Sequence, residues 1–312
     1  MKAFIFPGQG SQSVGMGKAL ADAFSAARQV FEEVDDALNQ RLSKLMWEGP
    51  ENELTLTENT QPAVMTASLA ALRVLENGGG LELGKHARLV AGHSAGEYAA
   101  LCAAGAFSLS DTARLLRIRG RAMQEASPVG EGAMSALLGI EMNLVEEACK
   151  EASSVGVVVV ANDNAPGQIV ISGDAKAVEK ASEIAKKKGA KRAIPLNVST
   201  PNHSPLLKPA AEKMHEALAR ITIRPPKVPL VSNVTASEVA EPDLIRSLLV
   251  DQLTARVRWR ESVAGFRALG AAMTVELGGN KVLTGMVKRI DKDLEPVTLD
   301  SPADIEAFAK TL

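Results

Sequence analysis

The chain has 312 residues, with 35 Lys and Arg against 37 Asp and Glu. Its formal charge of −2 leaves no basic field for nucleic acid or an anionic membrane, and an aromatic content of 3% disfavours base-stacking surfaces. At 46% hydrophobic residues and a mean hydropathy of +0.03 it reads as a soluble globular protein with one large domain or two modest ones; no run approaches a membrane span, and residues 1–8 are apolar too briefly for a signal peptide.

Residues 2–6 read as a buried strand stopped by Pro7-Gly8. The loop Gly8-Gln9-Gly10-Ser11-Gln12 follows. It has neither the G-x-G-x-x-G spacing nor a Gly-Lys-Ser/Thr, which rejects a dinucleotide or phosphate loop and leaves a loop that brings a backbone N–H towards a site. A helical region spans about 18–38, and Thr60 with Pro62 starts a helix over 63–76 that Gly78-Gly79-Gly80 ends. The apolar run 88–91 then enters Gly92-His93-Ser94-Ala95-Gly96-Glu97, and small residues follow over 98–104. A strand, a sharp turn and a helix are the setting in which Gly-x-Ser-x-Gly is a nucleophile elbow. The turn lifts the Ser94 hydroxyl clear of both elements, and the new helix aims free N–H groups at any oxyanion formed there.

A second helix begins near Ser110-Asp111 and runs to 126. Residues set about 100° apart on it put Leu115, Leu116, Ala122, Met123 and Ala126 on one face and Arg114, Arg117 and Arg121 on the opposite, solvated face. Arg119 falls in the middle of the apolar face. A guanidinium there needs an anionic partner. Either it makes a structural salt bridge, with Glu97 as a candidate, or it is a fork for a substrate carboxylate.

The middle of the chain reads as a strand over 132–140, a helix over 143–152, a strand over 156–161, a loop over 162–167, a strand over 168–172, a helix over 175–188 and a strand over 191–198. This β-α-β-β-α-β order is the ferredoxin-like pattern. Alternation resumes with a helix over 204–221, a strand over 229–234, helix in two pieces over 241–269, a strand over 272–276 and helical segments to the end. The fold expected is α/β: an α/β-hydrolase-like unit with a mostly parallel sheet, from 1–127 and 199–312, with a ferredoxin-like unit, 128–198, inserted in it.

A serine needs a base, and four histidines are present. His93 adjoins the serine on a turn where neighbours point apart, so it reads as structural. His86 lies in a charged loop and His215 on a helix surface. His203 lies in Thr200-Pro201-Asn202-His203-Ser204, between a strand and a helix, where active-site loops gather, and is the expected base. No aspartate announces itself as a third member, which leaves another acceptor such as a backbone carbonyl. Cys102 and Cys149 read as small buried hydrophobes of a reducing cytosol. No Cys/His cluster has metal-ligand spacing, so no metal and no resident cofactor is expected.

Together these segments resemble the malonyl-CoA:acyl-carrier-protein transacylase family of fatty-acid and polyketide acyltransferases. The likeness is carried in order by residues 6–12, residues 92–97, Arg119-Gly120-Arg121-Ala122-Met123-Gln124, residues 162–173, His203 and Val250-Asp251-Gln252-Leu253. It implies a ping-pong transfer of malonyl from malonyl-CoA, through an ester on Ser94, to the phosphopantetheine thiol of acyl carrier protein. It further implies His203 as base and then acid, oriented by the Gln252 carbonyl, and an oxyanion hole from the Gln9 and Ala95 amides. Arg119 would grip the malonyl carboxylate, with Asn162, Asn164 and Asn202 also in contact with substrate. Asn202 is neither the aromatic nor the serine usual before the histidine in polyketide relatives, so exclusion of methylmalonyl is left open.

An acidic carrier implies a basic docking patch, with candidates in Lys186-Lys187-Lys188 plus Lys191-Arg192 and in Arg117 plus Arg121. A cytoplasmic monomer is expected. The competing expectations are a serine esterase or thioesterase that uses water as acceptor, and a non-catalytic carrier-binding scaffold.

Overall fold

The computed structural model describes residues 1–312 except 129 and 199. Strands β1 (Lys2–Phe6) and β2 (Ala87–Gly92) come first, followed by β3 (Gly132–Leu138), β4 (Val158–Ala165), β5 (Gln168–Asp174) and β6 (Arg192–Pro195), then β7 (Leu230–Val231), β8 (Glu238–Val239), β9 (Met273–Leu277) and β10 (Glu295–Leu299). Among the described residues they form two sheets. The larger runs β10-β9-β1-β2-β7-β8, parallel throughout except for the β7–β8 pair. The smaller runs β4-β5-β3-β6 and is antiparallel throughout. A mostly parallel sheet with a separate antiparallel one is the expected α/β class. Ser199, the expected first residue of the returning segment, lies outside the described residues.

The central strand is apolar on both faces because helices cover both. Phe4 and Phe6 face a core with the helices Ser25–Leu38, Thr57–Asn77 and Leu109–Ala126, while Ala3 and Ile5 face Trp259, Phe266 and Leu283. In the smaller sheet, Leu137, Val158, Ile169 and Ile171 pack under the helices Met142–Ala152 and Ala175–Lys187. Its opposite face carries Met134, Val170 and Leu196.

The two sheets are joined by main chain as well as by side chains. The edge of β4 pairs with an irregular segment of the larger unit, through Asp163 N to Val257 O at 2.9 Å and Val257 N to Ala161 O at 2.8 Å. The buried Asp163 carboxylate receives Arg260 Nε at 2.9 Å on each oxygen.

Several elements depart from the sequence reading. The helix over 18–38 is two helices, Lys18–Ala23 and Ser25–Leu38, because Phe24 is extended. The Arg28 guanidinium, at 3.1 and 3.2 Å from Ala21 O, satisfies a carbonyl that the break leaves open. The helix read from Thr60 begins at Thr57, so Pro62 lies inside it rather than in its first turn. The loop read over 162–167 is mostly strand: β4 runs to Ala165, with register shifts that absorb its Asn-Asp-Asn run. The helix read over 204–221 opens as a 3-10 turn, Pro205–Leu207, before Lys208–Ala219. Residues 295–299, read as part of a helical end, form edge strand β10, where Pro296 has no ladder bond to lose. No helix among the described residues is long and apolar enough to cross a membrane.

Candidate active site

The loop after β1 and the turn after β2 leave neighbouring strand ends of the parallel sheet, and the site forms there. The backbone contacts explain the glycines of the elbow. A Cβ on Gly92 would lie 2.0 Å from the Gly96 carbonyl, and one on Gly96 would lie 2.1 Å from Phe6 O. Between them Ser94 has φ 53, a left-handed conformation costly for a side chain and stable only when its surroundings enforce it. Here Asn233 Oδ1 accepts from Ser94 N at 2.8 Å, and Gln252 Nε2 donates to Ser94 O at 3.1 Å. Asn233 is itself fixed by its Nδ2 bond to Gly92 O at 2.7 Å.

Ser94 Oγ lies 2.8 Å from His203 Nε2. His203 is buried, also has a positive φ of 58, and is held by its Nδ1 at 2.8 Å from Gln252 O. A carbonyl only accepts, so Nδ1 carries the proton and the Nε2 lone pair faces the serine hydroxyl. Burial, reinforced by the Arg119 charge, pushes the imidazole down to about 3, so the ring is a neutral base near pH 7. The acceptor that no aspartate supplied is thus a backbone carbonyl.

Arg119 is 1% exposed and points at the Ser94 hydroxyl, with Nη2 donating to Ser94 Oγ at 3.2 Å. Its other acceptors are neutral: Gln252 Oε1 at 2.9 Å from Nη2 and Gln61 Oε1 at 2.9 Å from Nη1. The Tyr98 ring lies 5.7 Å from the guanidinium carbon. Among the described residues Arg119 makes no ion pair, so the bridge to Glu97 considered from sequence does not form directly; Gln252 stands between the two. Arg117, expected on the solvated face, is buried instead and donates to Asn59 Oδ1 at 2.9 Å, to Gln40 Oε1 and to Glu58 Oε2 at 3.4 Å. With Arg121 also paired to Glu58 at 2.7 Å, this pair makes a poor docking patch. Lys186, Lys187, Lys191 and Arg192 are exposed, while Lys188 is tied to Glu147 and Glu151 at 2.9 Å each.

The remaining expected residues gather around one pocket of about 150 Å³, lined by Gln9, Ser94, Ala95, Asn162, Asn164, Asn202 and His203. Among the described residues the Gln9 and Ala95 amides have no acceptor within the chain, as an oxyanion site requires. Asn202 Oδ1 accepts from Thr200 Oγ1 at 2.6 Å, and Asn164 Oδ1 lies 2.8 Å from His93 Nε2. His93 packs on the Trp259 ring edge at 5.6 Å, a structural placement. His86 is half-buried in a short helix, Leu83–His86, rather than in a loop, and His215 is exposed. Cys102 and Cys149 are free thiols that burial pushes up to about 12, which leaves neither a nucleophile. Among the described residues no group of side chains could hold a metal ion.

Sequence reasoning missed Gln61 and Asn233 and saw only the backbone of Gln252. Asn233 carried a readable signal, as a polar residue just past the end of an apolar strand. Gln61 carried none, since it lies inside a helix whose other features are those of a buried core.

A model of the acyl transferase domain family matches residues 3–299. The chain is 47% identical to the malonyl CoA-acyl carrier protein transacylase of Bacillus subtilis strain 168, over 99% of this chain and 96% of that one. It is 45% identical to the protein of that name from Escherichia coli K12, over 98% and 97%. Among solved structures it resembles the acyl-carrier-protein-S-malonyltransferase of Bartonella henselae, with a TM-score of 0.97, 54% identity and coverage of 99% and 98%. It also resembles a malonyl-transacylase solved in complex with its type II polyketide acyl-carrier protein, with a TM-score of 0.96, 42% identity and coverage of 100% and 99%.

Proposed function

The chain belongs to the acyl transferase domain family, and from that premise we propose that it moves a malonyl group from malonyl-CoA to the phosphopantetheine thiol of an acyl carrier protein. One observation carries the choice of acyl group: a fully buried guanidinium beside the nucleophile, with only neutral acceptors in the chain. A malonyl carboxylate would complete it with charge-assisted bonds, whereas acetyl would leave it unpaired.

The geometry supports the following course. Ser94 Oγ attacks the thioester carbonyl as its proton passes to His203 Nε2, and the oxyanion sits between the Gln9 and Ala95 amides. Collapse breaks the C–S bond, and the proton on His203 goes to the departing coenzyme A sulfur. The malonyl ester on Ser94 then meets the carrier thiol, which gives its proton to His203 and attacks in turn, so that Ser94 leaves with that proton. The ester and two thioesters suffice, with no resident cofactor or metal. Asn162, Asn164 and Asn202 line the acyl path, and the enzyme works as a cytoplasmic monomer.

Intact-protein mass spectrometry after brief exposure to malonyl-CoA tests this. Wild type should gain one malonyl adduct that carrier protein discharges, and Ser94→Ala should gain none. Rapid loss of the adduct to water alone would turn the proposal into a thioesterase, and no adduct on wild type would refute it.

A further inference from the structure

Glu97 lies three residues after Ser94 in the first turn of the elbow helix and is 1% exposed. Among the described residues its carboxylate touches no cation. One oxygen accepts from Gln252 Nε2, and the other accepts from Asn233 N at 3.4 Å. These partners are the two residues that grip the peptide groups of Ser94. Gln252 also reaches the other way, with Oε1 accepting from Arg119 Nη2 at 2.9 Å.

The orientation of the Gln252 amide follows from what its neighbours are able to do. A guanidinium only donates, so the amide oxygen must face Arg119; a carboxylate and a carbonyl only accept, so the amide nitrogen must face Glu97 and Ser94 O. We infer that Glu97 is a positioning residue for acyl selection: by locking the Gln252 amide with its oxygen towards Arg119, it holds the guanidinium at the nucleophile. This rests on the malonyl-transfer reading above.

The indirect contact has a purpose of its own. A carboxylate in direct contact with Arg119 would fill the fork that the substrate must occupy. One amide removed, Glu97 in its ionised form supplies counter-charge to a buried cation and leaves its outward edge free for the acyl group. Burial pushes the Glu97 carboxyl up to about 7, against the opposing pull of the Gln252 bond, the Asn233 bond, the Arg119 charge and the Ser232 hydroxyl. A direct salt bridge would have driven it the other way.

Glu97→Gln replaces one oxygen by an NH2. Where that group faces Gln252 it meets the Gln252 NH2, donor against donor, and relief comes from a Gln252 flip that turns its NH2 on Arg119. Where it faces the other way it meets the Asn233 N–H and the Ser232 hydroxyl, and the lock on Gln252 loses its charge. Single-turnover acylation of Ser94 by malonyl-CoA and by acetyl-CoA, read as intact mass, tests the inference. Glu97→Gln should lower the malonyl-to-acetyl rate ratio by about tenfold or more. Gln252→Met keeps the main-chain carbonyl that holds His203 and should lower the ratio similarly, and the double variant should lower it no further. Equal slowing of both acyl groups, an unchanged ratio, or additive losses would overturn the inference. If Glu97→Gln does not fold, Gln252→Met decides alone, and an unchanged ratio there is again fatal. Loss of the malonyl adduct in wild type would instead bring down the transfer reading on which this stands.

Discussion

Arg117 and Arg119 stand two residues apart on one helix, both buried, and are accommodated in opposite ways. Arg117 meets the amides of Gln40 and Asn59 and the carboxylate of Glu58, and pins its helix to the start of Thr57–Asn77. Arg119 meets neutral oxygens and the Ser94 hydroxyl. Burial of a charge does not identify a site; burial without direct neutralisation does. The first arginine is a finished interaction, the second an open one.

Replacing each by an uncharged thioether should separate them most widely. On the proposed malonyl reading, Arg119→Met should reduce the malonyl-to-acetyl acylation ratio by at least about a hundredfold, because the guanidinium that would pair with the acyl carboxylate is lost. Its stability in urea should fall less than that of Arg117→Met, because losing a buried cation with no direct ion pair offsets the loss of the Gln61 and Gln252 bonds. Persistence of malonyl preference would erase the distinction. Arg117→Met should do the converse, with the ratio intact and stability lower by about 1–3 kcal/mol, because Gln40, Asn59 and Glu58 lose their donor. A smaller effect refines the picture. Glu58→Gln should cost less than about 1 kcal/mol, since its side chain is 34% exposed. Its Arg121 bond, with the Arg121 and Arg117 charges, holds the Glu58 pKa below the usual 4.5, against the opposing effect of burial. That stability is therefore present above pH 4.5 and lost as pH falls through the folded value, so denaturation curves of wild type and Glu58→Gln should converge in acid.

Much of this was legible in the chain because local sterics dictated it. Gly92 and Gly96 are required by contacts with the adjacent turn and with β1, and the helical period put Arg119 on an apolar face before any fold was known. Arg117 misled for the same reason: a helix has more than one buried side when two helices pack on it, and Thr57–Asn77 and Ser25–Leu38 both do. Phe24 carried no Gly or Pro to announce its break. The Asn-Asp-Asn run looked like turn chemistry, yet its residues serve the bulged edge of β4, where tertiary pairing outweighs local preference. The Glu97–Gln252–Arg119 chain was invisible, because its members meet only when three distant segments converge.

The backbone ladder that fastens β4 to the segment around Val257 also decides how guests enter. Swinging the smaller sheet away would break two main-chain bonds and the Asp163–Arg260 pair together, so a hinge is the expensive way to open the gorge. The pocket lining has softer parts: Met123, Met134 and Met286 are unbranched thioethers, able to change rotamer without moving the sheet. Side chains reorient far faster than domains rotate. Access by rotamer change would leave the sheet-to-sheet ladder intact, so the seam that joins the two sheets stays the most rigid boundary of the pocket.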